Sequence, residues 1–513
     1  MEDQEVRAVS IIGLDIGTTG TKAVAFDLDG RVIASAYREY NMVSPEPGQL
    51  ELVPQEVLAG IRTVLAQVAA QAKKDPPRSI AWSVLGEAMV PVDNNGEPLA
   101  NAIIGFDCRG EQEVLELREK LSQEECFAVT GHPINSYHSI CKLLWFRKNR
   151  PDVFSRAHKW LCFADFFVNA MGLPPAVDYS LAARTLLFDV KRLCWSDRML
   201  EIAGIGPEKL AEPVEPGRAV GEIGKNDLGL PEDCVIGAGL HDQPAGILGT
   251  GTGPGEAMYA IGTVVCLGVR LTGSPDPAVM IRNNLCAYPT YGKGQYVSLA
   301  WNFTGGSLLK WYRDQFAVKE REEAERTGRD VYDIICGDLP QKPTALLVLP
   351  YFTTTGTPYL DTRARGAILG LHLTTQRRDI ARAILEGVTY DILLNTELLK
   401  EAGVSIERYK AIGGAARSEV WMQIAASILD RPVLTLHATE GAGFGAALLG
   451  GKAAGLIEDP EAAARSLAKV SRVFEPIPQD AASYRKRFAL YRRVYGKTVD
   501  ILHELDRLAK EET

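Results

Sequence analysis

Leu14-Asp15-Ile16-Gly17-Thr18-Thr19-Gly20-Thr21-Lys22 is entered through the apolar run Ile11-Ile12-Gly13-Leu14 and left through Ala23-Val24-Ala25-Phe26. A turn rich in Gly and Thr, flanked in this way, joins two short strands. A Walker A loop needs a helix after its glycines, because the helix N-terminus helps to hold the phosphates. That reading fails here. What remains is a hairpin tip carrying backbone N–H groups, hydroxyls, a carboxylate and a lysine, a concavity suited to polyphosphate and a metal ion. Gly17 and Gly20 let a phosphate approach the backbone. Thr18, Thr19 and Thr21 add hydroxyls, and Lys22 adds a point charge. Asp15, at a strand end, can hold Mg²⁺, usually through waters. The plain alternative is an ordinary turn with a surface lysine.

Composition sets the frame. At 513 residues the chain is too long for one core, so two domains are expected. With 46% hydrophobic and 24% charged residues, the balance is that of an ordinary globular protein. A net charge of -9 argues against a nucleic-acid partner. The nine cysteines are scattered without a C-x-x-C pair, which predicts buried reduced thiols. Met1-Glu2-Asp3-Gln4-Glu5 is acidic and leads straight into a strand, unlike a signal peptide. No apolar run approaches the roughly 20 residues of a membrane span. A cytoplasmic protein is expected.

Strand and turn signals alternate through the first quarter, with Asp29-Gly30 as a hairpin turn. Val57 to Ala70 reads as a helix, Ser79 to Val92 as strand–loop–strand, and Glu111 to Arg150 as helices with Tyr137 in an irregular stretch. Gly237-Ala238-Gly239-Leu240-His241-Asp242 closes another strand. The glycine-rich Gly249 to Gly255 predicts a boundary, giving domains 1–252 and 253–513. The second half opens like the first: strand Met258-Tyr259-Ala260-Ile261, turn Gly262-Thr263, strand Val264-Val265-Cys266-Leu267. Ile380, Ile384, Val388 and Ile392 form one stripe of a long helix, and Val420, Ile424 and Ile428 one of a shorter helix. Ala481 to Leu508 reads as a charged helix packed on the outside. Two halves with the same opening suggest a duplicated α/β architecture, with a ligand site in a cleft between domains.

Three further motifs carry chemistry. Ile412-Gly413-Gly414-Ala415-Ala416-Arg417-Ser418 is a strand, a glycine turn and a helix start, where Ser418 either caps the helix or contacts a nucleotide. Glu440-Gly441-Ala442-Gly443-Phe444-Gly445-Ala446-Ala447 is a helix of small residues, read as tight packing. His241-Asp242-Gln243 ends a glycine-flanked strand, where Asp242 is a helix cap or a general base.

In their order these motifs resemble the FGGY carbohydrate kinases, which include glycerol, xylulose, fuculose and gluconate kinases. The resemblance runs from about Ile11 to Gly455. Asp15 to Lys22 is similar to the family's first phosphate loop and Ile261-Gly262-Thr263 to its second. Asn302 to Trp311, with Gly305, Gly306 and Lys310, is similar to the segment flanking the nucleotide. Gly413 to Ser418 resembles the adenosine loop, and Asp242 falls where the family keeps its catalytic aspartate. The resemblance implies two domains of the actin and hexokinase type, each with an RNase H-like core, closing over ATP, Mg²⁺ and a small sugar or polyol. Family members are often dimers, so the resemblance allows a homodimer, but the sequence locates no interface and leaves the oligomeric state open.

On the substrate side, Glu87 aligns with a carboxylate that glycerol kinases place on substrate hydroxyls, and Tyr137 and Gln243 match contacts of that branch. Gly86 departs from it, since glycerol kinases carry an arginine there; the gap favours a bulkier or differently oriented acceptor. Xylulose kinases carry Met-His at positions 86 and 87, so the chain departs from them too. The His241-Asp242 pair is similar to the fuculose and rhamnulose branch. Asp107, within Ile104 to Arg109, is either a hydroxyl acceptor or a salt-bridge partner of Arg109. His132 and His138 lack metal-ligand spacing, which leaves surface or packing roles. The main expectation is phosphorylation of a ketose such as a pentulose or hexulose. A glycerol- or erythritol-type polyol kinase and, more remotely, an actin- or chaperone-like ATPase are the alternatives.

Overall fold

The computed structural model describes residues 9–46, 48–437 and 440–511; the acidic N-terminal pentapeptide lies outside them. The chain forms two compact units. The first holds residues 1–251, 286–297 and 440–468; the second holds 252–285, 298–439 and 469–513. The first crossing falls in the predicted glycine-rich stretch. The later segments 286–297 and 440–468 pack with the first unit, where a single cut at 252 would place them in the second.

The first unit is built on a six-stranded sheet of β1 (Ser10–Ile16), β2 (Gly20–Phe26), β3 (Val32–Glu39), β4 (Pro77–Val84), β5 (Ala219–Glu222) and β6 (Val235–His241), in the order β5-β6-β4-β1-β2-β3. β1 and β2 form the predicted antiparallel hairpin, with Asp15 opposite Lys22, and β3 continues it after the Asp29-Gly30 turn. β4 runs parallel to β1, and β6 parallel to β4.

The second unit repeats this order. β7 (Glu256–Ile261), β8 (Val265–Leu271), β9 (Tyr296–Asn302), β10 (Arg408–Ile412), β11 (Val433–Leu436) and β12 (Val470–Phe474) run β9-β8-β7-β10-β11-β12. β7 and β8 are antiparallel, β10 and β11 add in parallel, and the edge strand β12 is antiparallel like β5. The duplication read from the two opening hairpins therefore extends to whole sheets.

The helices follow their apolar stripes. Pro54–Gln71 buries Val57, Ile61, Val64, Leu65 and Val68, and Arg377–Glu401 buries Ile384, Val388 and Ile392. The Gly441–Ala453 helix crosses the first sheet, as its small residues predict. A Cβ on Gly13 would overlap the Gly443 carbonyl oxygen and lie 2.6 Å from its carbon. Where the seam widens, Phe26 and Phe444 pack with ring centroids 5.1 Å apart, a pair worth about 0.5–1.5 kcal/mol beyond its buried area.

The C-terminal helix, Pro478–Glu511, corrects one expectation. It does not simply lie outside, because Tyr484, Phe488, Tyr491 and Tyr495 are buried. Tyr484 donates to Glu386 Oε1 at 2.8 Å and Tyr491 to Asp391 Oδ1 at 3.3 Å, each reaching a buried carboxylate of the Arg377–Glu401 helix. All nine cysteines are free thiols, and all but Cys108 and Cys194 are buried. Among the described residues no helix is long and apolar enough to cross a membrane.

Candidate active site

The β1–β2 turn is held from below. Gly17 N–H donates to Gly20 O at 3.0 Å and Tyr40 Oη donates to Gly17 O at 2.6 Å. Thr21 turns inward, donating to Asp15 O at 2.9 Å. Thr18 is partly exposed and Thr19 exposed, at the tip. Thr21 is thus spent on the hairpin, while Thr18 and Thr19 can face a ligand.

Asp15 accepts from Ser83 Oγ at 2.6 Å, across the parallel β1–β4 pair. Burial raises its pKa, Ser83 lowers it, Glu440 raises it and Lys22 lowers it. Lys22 Nζ lies 2.6 Å from Glu440 Oε1, in a pair about one-third exposed. The loop lysine therefore starts from an internal partner that sequence reading assigned only to helix packing.

Asp242 opens the Asp242–Gly249 helix at the end of β6. Its pKa is pushed up to about 6 by burial and by the charge of Asp15, against hydrogen bonds from Gln243 and the charge of Arg184. The carboxylate is still 36% exposed, and its Oδ1 has no hydrogen-bond partner among the protein groups. His241 Nε2 lies 3.0 Å from that oxygen without a hydrogen bond to it. Burial and the charge of Arg184 hold His241 well below its ordinary pKa, so the ring is neutral. Its backbone N–H donates to Ser180 Oγ at 2.9 Å, and Ser180 donates to Asp178, which also accepts from Trp82 Nε1 at 3.0 Å. This chain of buried polar groups locks the strand end from which Asp242 emerges.

Beside it, Glu87 sits at φ 66, left-handed backbone that a non-glycine residue adopts at a cost of about 1–3 kcal/mol. Ser139 Oγ donates to its carbonyl at 2.7 Å, which helps to hold that conformation. Glu87 is ion-paired with Arg184, and Arg184 stacks over the Tyr137 ring at 5.3 Å. His138 Nδ1 bonds Arg184 O at 2.8 Å. Burial pushes His138 down to about 3 and His132 well below its usual range. Both histidines are fully buried packing residues, which removes the surface reading.

Asp107 takes the structural course. Its carboxylate accepts from Leu50 N at 2.6 Å, from Arg109 N at 2.8 Å and from Arg109 Nη2 at 2.7 Å. With both oxygens occupied, it supports the loop rather than offering an acceptor for a substrate hydroxyl.

Within the second unit, three glycine turns meet. Gly306 N–H donates to Gly262 O at 2.7 Å and Gly305 N–H to Thr263 O at 2.9 Å. Gly413, at φ 91, lies so close to β7 that a Cβ would stand 2.6 Å from Ile261 O. Gly414 faces open space, and Lys310 is exposed on the Gly306–Phe316 helix. Ser418 caps the Glu419–Leu429 helix, accepting from Trp421 N at 3.3 Å, so the capping alternative holds for this residue.

Arg184, Ser83 and Glu440 escape sequence reading. Arg184 had a signal: it is a lone charge inside Leu181-Ala182-Ala183-Arg184-Thr185-Leu186-Leu187, and a charge in such a run is seldom buried without a purpose. Ser83 and Glu440 have none, because only tertiary pairing brings them to Asp15 and Lys22.

Residues 10–249 match the N-terminal domain of the FGGY family of carbohydrate kinases, and residues 257–454 match its C-terminal domain. A gluconokinase of Bacillus subtilis is 28% identical, over 94% of this chain and 94% of that protein. A glycerol kinase of Thermus brockianus is 32% identical, over 87% and 90%. The solved structure of a xylulose kinase from Rhodospirillum rubrum superposes with a TM-score of 0.84 at 28% identity, over 96% of this chain and all of that one (100%). Those names specify three different acceptors. Matched through both units, the chain belongs to the FGGY family of carbohydrate kinases, phosphotransferases with an alcohol group as acceptor.

Proposed function

We propose that Asp242 is the general base of an ATP-dependent phosphoryl transfer to a hydroxyl of a small sugar or polyol, with a ketose as the leading class. The observation that carries this reading is the Asp242 carboxylate. It has a raised pKa, one oxygen without a donor, and Gln243 and Arg184 acting on it, the latter paired in turn with Glu87. Glu87, Tyr137 and Gln243 would hold the acceptor. Asp242 takes the hydroxyl proton as the acceptor oxygen attacks the γ-phosphorus in line and ADP leaves. The Gly17–Gly20 turn and Lys22, once drawn from Glu440, would neutralise the transferring charge. Positioning and electrostatics supply most of the acceleration in such transfers.

On the nucleotide side, the turns at Gly262-Thr263, Gly306 and Gly414 are candidates for phosphate and adenosine contacts, with Lys310 as a nearby cation. Asp15 would hold Mg²⁺, whose charge would offset that of the phosphates. The donors fit a hard cation: they are oxygens only, and Glu440 and Asp242 add negative charge near Asp15. Among the described residues no three His, Cys, Asp or Glu side chains are grouped so as to hold a metal ion by themselves.

The base must be ionised to act. Turnover per acceptor, kcat/KM, should rise with pH through about 6 and level off above it, because Asp242 titrates there. A profile flat between pH 5 and 7 contradicts the assignment. ADP release should also depend on the acceptor. Equal release with and without sugars would favour the actin- or chaperone-like alternative.

A further inference from the structure

Arg184 ends the Tyr179–Arg184 helix of the first unit and is 6% exposed. Its Nη2 is paired with Glu87, yet Nε and Nη1 are buried with no hydrogen-bond partner. Leaving a buried charged donor unpaired is among the costlier defects a fold can carry. Nothing local forces it, because the group is deliberately seated: Tyr137 and Tyr288 stack on it at 5.3 and 6.0 Å, and His138 fastens its carbonyl. Gly86 keeps the space beside it open. A Cβ there would lie 3.0 Å from His241 Nε2 and 3.3 Å from Arg184 Nε, so any side chain would press on the guanidinium.

The charges around this space are unequal. Glu87 already neutralises Arg184. His132, His138 and His241 are neutral, and Lys142 Nζ is committed to Asp107 O at 2.8 Å. Asp242 and Asp15 are the negative groups that act on each other here, against the charge of Arg184. A carboxylate-bearing acceptor would join them with no spare cation. A hydroxyl both donates and accepts, so it can take a hydrogen bond from Arg184 and give one to Glu87 or Asp242.

We propose that Arg184 and Glu87 form a donor–acceptor pair that reads adjacent hydroxyls of an uncharged polyol or ketose and discriminates against sugar acids. The proposal rests on the reading of Asp242 as the base of this pocket.

The test uses the full chain, ADP release, and xylulose, ribulose, erythritol, glycerol and gluconate as acceptors. Turnover is expected with at least one neutral acceptor and not with gluconate. Arg184→Lys should raise the KM of that acceptor about 10- to 100-fold, the effect of one lost charge-assisted hydrogen bond, with the KM for ATP unchanged. Because Arg184→Met alone strands Glu87, the double variant Glu87→Gln/Arg184→Met keeps a neutral pair. It should fold and show the larger KM defect. Turnover on gluconate alone, turnover on none of the neutral acceptors, or acceptor KM within threefold of wild type in both variants overturns the proposal. Asp242→Asn runs alongside. If it keeps its activity, the base reading fails; if it is inactive while the Arg184 variants bind normally, only the Arg184 inference fails.

Discussion

Asp242→Asn should lose roughly 10²–10⁴-fold in turnover, the usual contribution of a positioned general base, while still binding ATP and acceptor. It should also be more stable than the wild type. A carboxyl group whose pKa rises to about 6 in the fold binds a proton more tightly there than in the unfolded chain. Stability from this group is therefore present at low pH and is lost as pH rises from about 4 to 6. At neutral pH the ionised wild-type group opposes folding, and the amide does not. With the side chain about one-third open to solvent, the gain is discounted to about 1 kcal/mol. The two measurements, sugar-dependent ADP release and the denaturant midpoint, should move in opposite directions. A variant that loses both activity and stability would show a damaged fold rather than a missing base.

Gly13→Val should severely destabilise the first unit. A Cβ at Gly13 meets the backbone of Gly443, and neither β1 nor the Gly441–Ala453 helix can retreat without opening the sheet. Overpacking costs typically 1–3 kcal/mol; two backbones forced apart should reach or pass about 3 kcal/mol. The displaced strand also carries Asp15, so activity falls with stability. The control is on the other side of the same seam. A Cβ on Gly443 itself meets nothing within 4 Å, and Ala is a better helix former than Gly by about 1 kcal/mol. Gly443→Ala should therefore be neutral or stabilising. Equal damage from both substitutions would show that the seam is not packed as described.

Local chemistry was legible in the sequence. The Asp15–Lys22 hairpin, the Gly413 turn and the small-residue helix each carry their geometry in consecutive residues. Hence strands, turn and close packing could be read before the structure. The duplication was visible as two opening hairpins and extends to six strands in the same spatial order. What could not be read depends on distant pairing. Glu440 reads only as part of a tightly packed helix until its carboxylate is found on Lys22, and Asp107 is ambiguous until Leu50 and Arg109 are seen to fill its lone pairs. The tyrosines of the C-terminal helix were hidden among Arg and Lys. A charged helix with one aromatic stripe reads as a surface element when its partners, Glu386 and Asp391, lie about a hundred residues upstream.

The Lys22–Glu440 pair also sets a timetable for synthesis. Its partners are 418 residues apart, and the helix after Glu440 supplies much of the first unit's central packing. The emerging first 251 residues therefore lack a core helix until the chain is nearly finished. Contacts so distant in sequence form slowly, and the waiting sheet exposes apolar surface prone to aggregation. A ribosome-bound chain halted before residue 440 should be protease-sensitive around β1 and β4, whereas one extended past residue 468 and clear of the exit tunnel should be protected there. The Gly17–Gly20 turn lies early in the sequence but should be among the last parts of the first unit to become rigid.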